Sequence, residues 1–201
     1  MSSTAALIDA DWQPKAIVFD LLTALLDSWT LLPRGTYMPY EDCVRQAAQD
    51  VGLPASAPDA LIRDWANLRA WPEVARVLPQ LRRKGYKLGV VTNCSLRLGT
   101  IATQCAEATA STGVRGRFTF DSTMAAEESG FYKPTRAAYY ALLSKMGLEA
   151  SNVLFVAGSA GAVQGATDAG MRVVWHNKVG LPKKGSADPV KEAAALQERA
   201  Q

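Results

Sequence analysis

Lys15-Ala-Ile-Val-Phe-Asp20 is an apolar run that ends in a carboxylate and continues as Leu-Leu-Thr-Ala24 without a helix cap. A strand buried on both faces reads as such a run, and an open parallel sheet offers its ligand crevice outside the carboxyl ends of its strands. Asp20 is thus expected where a nucleophile would meet a ligand. Three later segments carry residues suited to the same place. Gly89-Val-Val-Thr92-Asn93 ends a buried run in a hydroxyl and an amide, groups that hold an anion or a leaving group. Gly130-Phe-Tyr-Lys133-Pro134 sets a lysine just before a helix, where its charge keeps a neighbouring carboxylate ionised. Val153-Leu-Phe-Val-Ala-Gly158-Ser159-Ala-Gly-Ala162 ends a buried run in a loop of small residues whose backbone can approach a ligand closely. Each segment alone has a plain structural reading as a turn, a helix start or a strand end. Their shared order is the specific signal.

Around these segments the chain alternates buried runs with helical periods, the pattern of βαβ units. Strands are expected at Ala16–Asp20, Lys87–Thr92, Arg117–Asp121, Val153–Ala157 and Arg172–Trp175. Helices are expected near Pro72–Lys84, Leu96–Ser111, Thr135–Met146 and Ala162–Ala169. The fold class is α/β, a Rossmann-like doubly wound parallel sheet. Residues 28–71 break the alternation with helical stretches near Tyr40–Val51 and Pro58–Leu68. They are read as a small helical cap inserted into a core of residues 1–27 and 72–201, with Trp29, Trp65 and Trp71 as packing anchors. The tail Asp188–Ala200 reads as a polar surface helix.

The chain has 201 residues, 48% hydrophobic and 20% charged, with a net charge of +3. That charge is too small to imply a nucleic-acid partner, and Arg82-Arg83-Lys84 and Lys183-Lys184 read as solvated helix-end and loop charges. No run has the length of a membrane span. The N-terminus lacks the basic and apolar regions of a signal peptide. Three cysteines without a CxxC pattern fit a reducing compartment, so a cytoplasmic location is expected.

Asp20, Thr92-Asn93, Lys133 and the Gly158–Ala162 loop occur in the order of the four motifs of the haloacid dehalogenase superfamily. Phe19-Asp20-Leu-Leu-Thr-Ala-Leu-Leu-Asp27, Tyr132-Lys133-Pro134 and Val174-Trp175-His176-Asn177-Lys178 resemble its 2-haloacid dehalogenase branch. The resemblance implies a hydrolase in which Asp20 displaces halide from a small 2-substituted carboxylic acid and carries the resulting ester. Lys133 would balance the Asp20 charge, Thr92 and Asn93 would contact halide or carboxylate, Tyr139 would line the site, and Ser159 would belong to the anion pocket. No cofactor or metal is implied for this branch. A homodimer is implied as an assembly.

Several positions depart from the pattern. Leu22 replaces the acid of the phosphatases and the Tyr of the dehalogenases, and Ala24 stands where the family has Thr. Gly158 and Ala162 replace carboxylates that hold Mg²⁺ or orient water. With Asp20 as its only obvious carboxylate, the site is poor in the oxygen ligands Mg²⁺ needs. Arg34 is the nearest substitute for a substrate-binding Arg of longer caps. Glu127 and Glu128 read as capping or solvating the turn before Lys133. Cys94 reads as buried and inert, and His176 as a surface or supporting residue. Two other readings stay open: a degenerate binding protein, and a lyase or isomerase that moves a proton with Asp20 and Lys133.

Overall fold

The computed structural model describes residues 12–22, 24 and 37–194. In chain order it contains β1 (Ala16–Asp20), α1 (Tyr40–Asp50), α2 (Ser56–Arg63), α3 (Val74–Arg83), β2 (Lys87–Thr92), α4 (Leu96–Ser111), β3 (Ser122–Ala125) and the one-turn α5 (Ala126–Ser129). There follow α6 (Arg136–Met146), β4 (Val153–Ala157), α7 (Ala160–Asp168), β5 (Arg172–His176) and β6 (Lys191–Ala193). The strands form one sheet in the order β3-β2-β1-β4-β5-β6, and every neighbouring pair is parallel. The chain moves from β1 to one side for β2 and β3, then returns to its other side for β4. The end of β1 is therefore the point where strand order reverses, the crevice position of open α/β sheets. Asp20 occupies it.

Alternation along β1 divides the core in two. Ile17 and Phe19 join a cluster with Val77, Leu78, Leu88, Val90, Leu98 and Ala102 under α3 and α4. Ala16 and Val18 join Tyr139, Leu142, Phe155, Val163 and Trp175 under α6 and α7. Tyr40 and Trp65 from the 40–67 segment belong to the first cluster together with Leu22. The Trp65 indole N–H donates to the Leu98 carbonyl at 2.9 Å, which fastens that segment to α4. Trp71 carries the Lys178 ammonium 5.3 Å from its ring centre. Trp29 and Arg34 lie outside the described residues.

The third strand does not lie at Arg117–Asp121 but at Ser122–Ala125, in register with Gly89–Thr92. Residues 117–121 do show strand alternation, with Phe118 and Phe120 buried edge to face. Their amides, however, are taken by side chains of α4. Phe118 N–H donates to Ser111 Oγ, and Phe120 N–H to Glu107 Oε1, each at 2.9 Å. Sheet pairing starts only at Asp121, whose N–H donates to the Leu88 carbonyl. The tail differs as well. Instead of a helix, Lys191–Ala193 adds a parallel edge strand to β5, and Asn177 N–H donates to the Ala193 carbonyl. Residues 195–201 lie outside the described part. Among the described residues no helix is long and apolar enough to cross a membrane.

Candidate active site

β1 delivers Asp20 to the switch point with 7% of its surface exposed. A buried carboxylate needs partners. Lys133 Nζ lies 2.5 Å from Asp20 Oδ1 and also donates to the Val91 carbonyl at 2.9 Å. The Gly158 backbone in the β4–α7 loop also acts on the Asp20 carboxylate and favours its charged form. Burial pulls the Asp20 carboxyl above its ordinary value, and the Lys133 ammonium and the Gly158 backbone oppose that pull. Lys133 is itself 6% exposed, so the two charges form a buried pair that crosses 113 positions of sequence.

Lys133 owes its place to three supports. α5 ends at Gly130 with φ +76, a left-handed turn that suits glycine and redirects the chain toward the site. The Asn93 side chain then clamps the Lys133 backbone from both sides. Its Nδ2 donates to the Lys133 carbonyl at 3.0 Å, and its Oδ1 accepts the Lys133 N–H at 2.7 Å. On the far side α7 presses against Pro134. A Cβ built on Gly165 would stand 2.6 Å from the Pro134 carbonyl oxygen and 2.8 Å from its Cα.

The other expected site residues divide by what they touch. Thr92 is buried and its hydroxyl donates to Cys94 Sγ at 3.2 Å. Burial pushes the Cys94 thiol up to about 12, so this cysteine is not a thiolate nucleophile near neutral pH. Tyr139 is 1% exposed, and its hydroxyl lies 3.4 Å from the Ala162 carbonyl. Burial, and secondarily the Asp20 charge, push its phenol above the ordinary value. Ser159 caps α7, its Oγ accepting the Ala162 N–H at 3.3 Å. Leu22 faces the apolar cluster with Tyr40 and Trp65 and brings no polar group. Glu127 accepts the Leu96 N–H at 2.6 Å at the start of α4, and Glu128 pairs with Lys145 at 2.8 Å. Both act as the turn and cap residues the sequence suggests.

His176 is not on the surface. It is fully buried, with Nδ1 2.8 Å from the Ala24 carbonyl and Nε2 3.9 Å from Glu73 Oε1. It joins the loop that follows Asp20 to the chain entering α3. Backbone groups escape sequence reading: the Val91 carbonyl and the Gly158 backbone bear on the ion pair directly, yet carry no side-chain signature. The only signal for the second is the run of small residues after β4.

A model of the haloacid dehalogenase-like hydrolases matches residues 20–170 of the chain. The (S)-2-haloacid dehalogenase of Pseudomonas sp. (strain YL) is 28% identical over 176 residues, 86% of this chain and 70% of that protein. Phosphatase MT3486 of Mycobacterium tuberculosis (strain CDC 1551 / Oshkosh) is also 28% identical, over 79% of this chain and 70% of its own length. The crystal structure of the L-2-haloacid dehalogenase RSc1362 superposes with a TM-score of 0.76, covering 92% of this chain and 96% of that one at 24% identity. With its motifs gathered at the switch point of a parallel sheet and the family match spanning most of its length, the chain belongs to the haloacid dehalogenase-like hydrolases.

Proposed function

We propose that the chain is a hydrolase of the 2-haloacid dehalogenase type, with Asp20 as nucleophile and no metal ion in the reaction. An Asp20 carboxylate oxygen forms a bond to C2 of a small 2-halo acid while the carbon–halogen bond breaks, and halide leaves with its electron pair. Water then cleaves the ester, giving a 2-hydroxy acid and a proton and restoring the carboxylate. The carrying observation is the buried pair of Asp20 and Lys133 at 2.5 Å, held at the crevice of the sheet. Lys133 holds the carboxylate in the charged form that attacks, and its backbone clamp by Asn93 keeps it there.

Phosphatases of this fold would need Mg²⁺ at this place, a cation that takes oxygen ligands in octahedral geometry. The described residues do not fit it. Asp20 Oδ1 already faces an ammonium, Leu22 and Ala162 bring no side-chain oxygen, and no group of three acidic, histidine or cysteine side chains clusters among them. Leu22 and Ala24, buried in the apolar cluster with Tyr40 and Trp65, and Ala162, buried at the start of α7, bring no titratable side chain to the motif positions, which suits displacement at carbon better than activation of water. The same neutrality favours ester hydrolysis as the slow step, because loss of a general base costs on the order of 10²–10⁴-fold.

Halide release from a panel of 2-chloro and 2-bromo acids, measured with EDTA present, tests the reading. Release that persists in EDTA and vanishes in Asp20→Asn is the expected result. Magnesium-dependent phosphate release from phosphate esters, with no halide from any acid, would overturn it.

A further inference from the structure

At the opposite end of the sheet, Pro79, Arg82, Arg83, Val114, Arg117, Phe118, Thr119 and Asp121 line an open surface cavity of about 340 Å³. It is remote from Asp20. Asp121 pairs with Leu88 near the start of β2, whereas Asp20 pairs with Val91, three residues or roughly 10 Å further along the strand. We propose that this cavity binds a small phosphate dianion, either free phosphate or a phosphate monoester.

Three features carry the inference. First, the floor is built. Arg82 donates to Asp121 Oδ2 at 2.6 Å and to the Thr119 carbonyl at 2.7 Å, and its guanidinium lies 5.5 Å from the Phe118 ring centre. Asp121 Oδ2 also accepts the Leu88 N–H at 2.6 Å, so Arg82 and the β2 backbone converge on one oxygen of this carboxylate. Second, the wall is a shelf held out of the sheet. Ser111 and Glu107 take the Phe118 and Phe120 amides, and Gly116, at φ +101, makes the turn that presents Arg117. Third, the charge is unbalanced. Three guanidiniums face one carboxylate, and the Arg83 and Arg117 side chains make no hydrogen bond or ion pair among the described residues. Basic residues in the last turn of α3 also suit its dipole, but Arg117 lies on no helix. Two unengaged guanidiniums match the charge and the paired oxygens of a phosphate dianion. Pro79, Val114 and Phe118 supply an apolar side for the organic part of a monoester, and the volume falls in the range of small-ligand sites.

Amide NMR of the full chain titrated with inorganic phosphate, and separately with phenyl phosphate, reads this out. Saturable shifts confined to residues 79–83 and 114–121, with a Kd of about 1 mM or tighter, are expected. Arg83→Ala/Arg117→Ala, both on exposed side chains, weakens binding about tenfold or more, whereas Arg63→Ala/Arg69→Ala, which removes the same charge elsewhere, changes it less than about twofold. Tighter binding of phenyl phosphate identifies a monoester as occupant, and equal binding identifies free phosphate. Non-saturating shifts, equal loss in both double variants, or shifts centred on Asp20 and Lys133 would overturn the proposal.

Discussion

The two sides of Asp20 are built on different principles. Toward β2 and the α5–α6 segment, every contact is specific and polar: an ammonium at 2.5 Å, the Val91 carbonyl behind it, and both ends of the Asn93 amide on the lysine backbone. Toward β4 and α7 the site offers one backbone contact from Gly158, a serine engaged in capping the helix, and alanines. One side holds a carboxylate in charge and position. The other brings it no charged side chain. For the reaction proposed above, a site divided in this way is better equipped for attack on carbon than for activation of the water that follows.

Removing the ion pair should break the polar side with the largest effect. Lys133→Met leaves a buried carboxylate without its partner, a change that costs about 3–5 kcal/mol when a buried pair is broken. Equilibrium denaturation should register that loss, and attack on 2-bromo acids should fall with it. Full stability and full reactivity in this variant would mean that the pair is ornamental. The neutral side is tested by addition. Ala162→Asp places a carboxylate in the first turn of α7, where the helix dipole accepts it. If water activation limits turnover, steady-state halide release should rise by on the order of 10². An unchanged rate would move the limit elsewhere.

Smaller effects separate position from charge. Asn93→Ala removes both hydrogen bonds to the Lys133 backbone and should cost about 1–3 kcal/mol, since it leaves the Lys133 amide groups unpaired in a part-buried place. Asn93→Asp keeps an acceptor for the Lys133 N–H and should recover part of that loss. Gly165→Ala forces a methyl against Pro134 and should cost about 1–3 kcal/mol while slowing attack through the displaced lysine. A further effect is in pH. Burial raises the Asp20 carboxyl above 3.8 in the folded protein, so the native state binds a proton that the unfolded chain has released. Stability from this group therefore declines as pH rises through the window that starts near 3.8 and ends at the raised value. The acid limb of the attack rate should fall in that window, above the ordinary carboxylate midpoint.

Much of this arrangement was legible in the sequence, for physical reasons that also explain the failures. β1, β2 and β4 stand where the apolar runs place them, because strands buried on both faces leave an unbroken signal bounded by turn residues. Phe118 and Phe120 gave an equally good strand signal and misled, because alternation reports side-chain burial and says nothing of whether backbone amides pair with a strand or with Ser111 and Glu107. Lys191-Glu192-Ala193 has no strand pattern at all, and its pairing is imposed by the free edge of β5. In the site, Asp20 and Lys133 were readable from motif order. The double clamp of Asn93 was not, since a bond to the backbone 40 positions away leaves no residue pattern. For His176 the sequence left a surface and a supporting role open, since a strand-end histidine is usually solvated; the Ala24 carbonyl and Glu73 receive it in the interior, in a supporting place.

Intact-protein mass spectrometry after a brief exposure to 2-bromopropionate in EDTA tests the central claim most directly. The account predicts an added carboxyalkyl mass on the protein, absent from Asp20→Asn and longer-lived in the wild type than in Ala162→Asp. An adduct of equal yield in Asp20→Asn, or halide released by a protein that never carries an adduct even when quenched within one turnover, would contradict it.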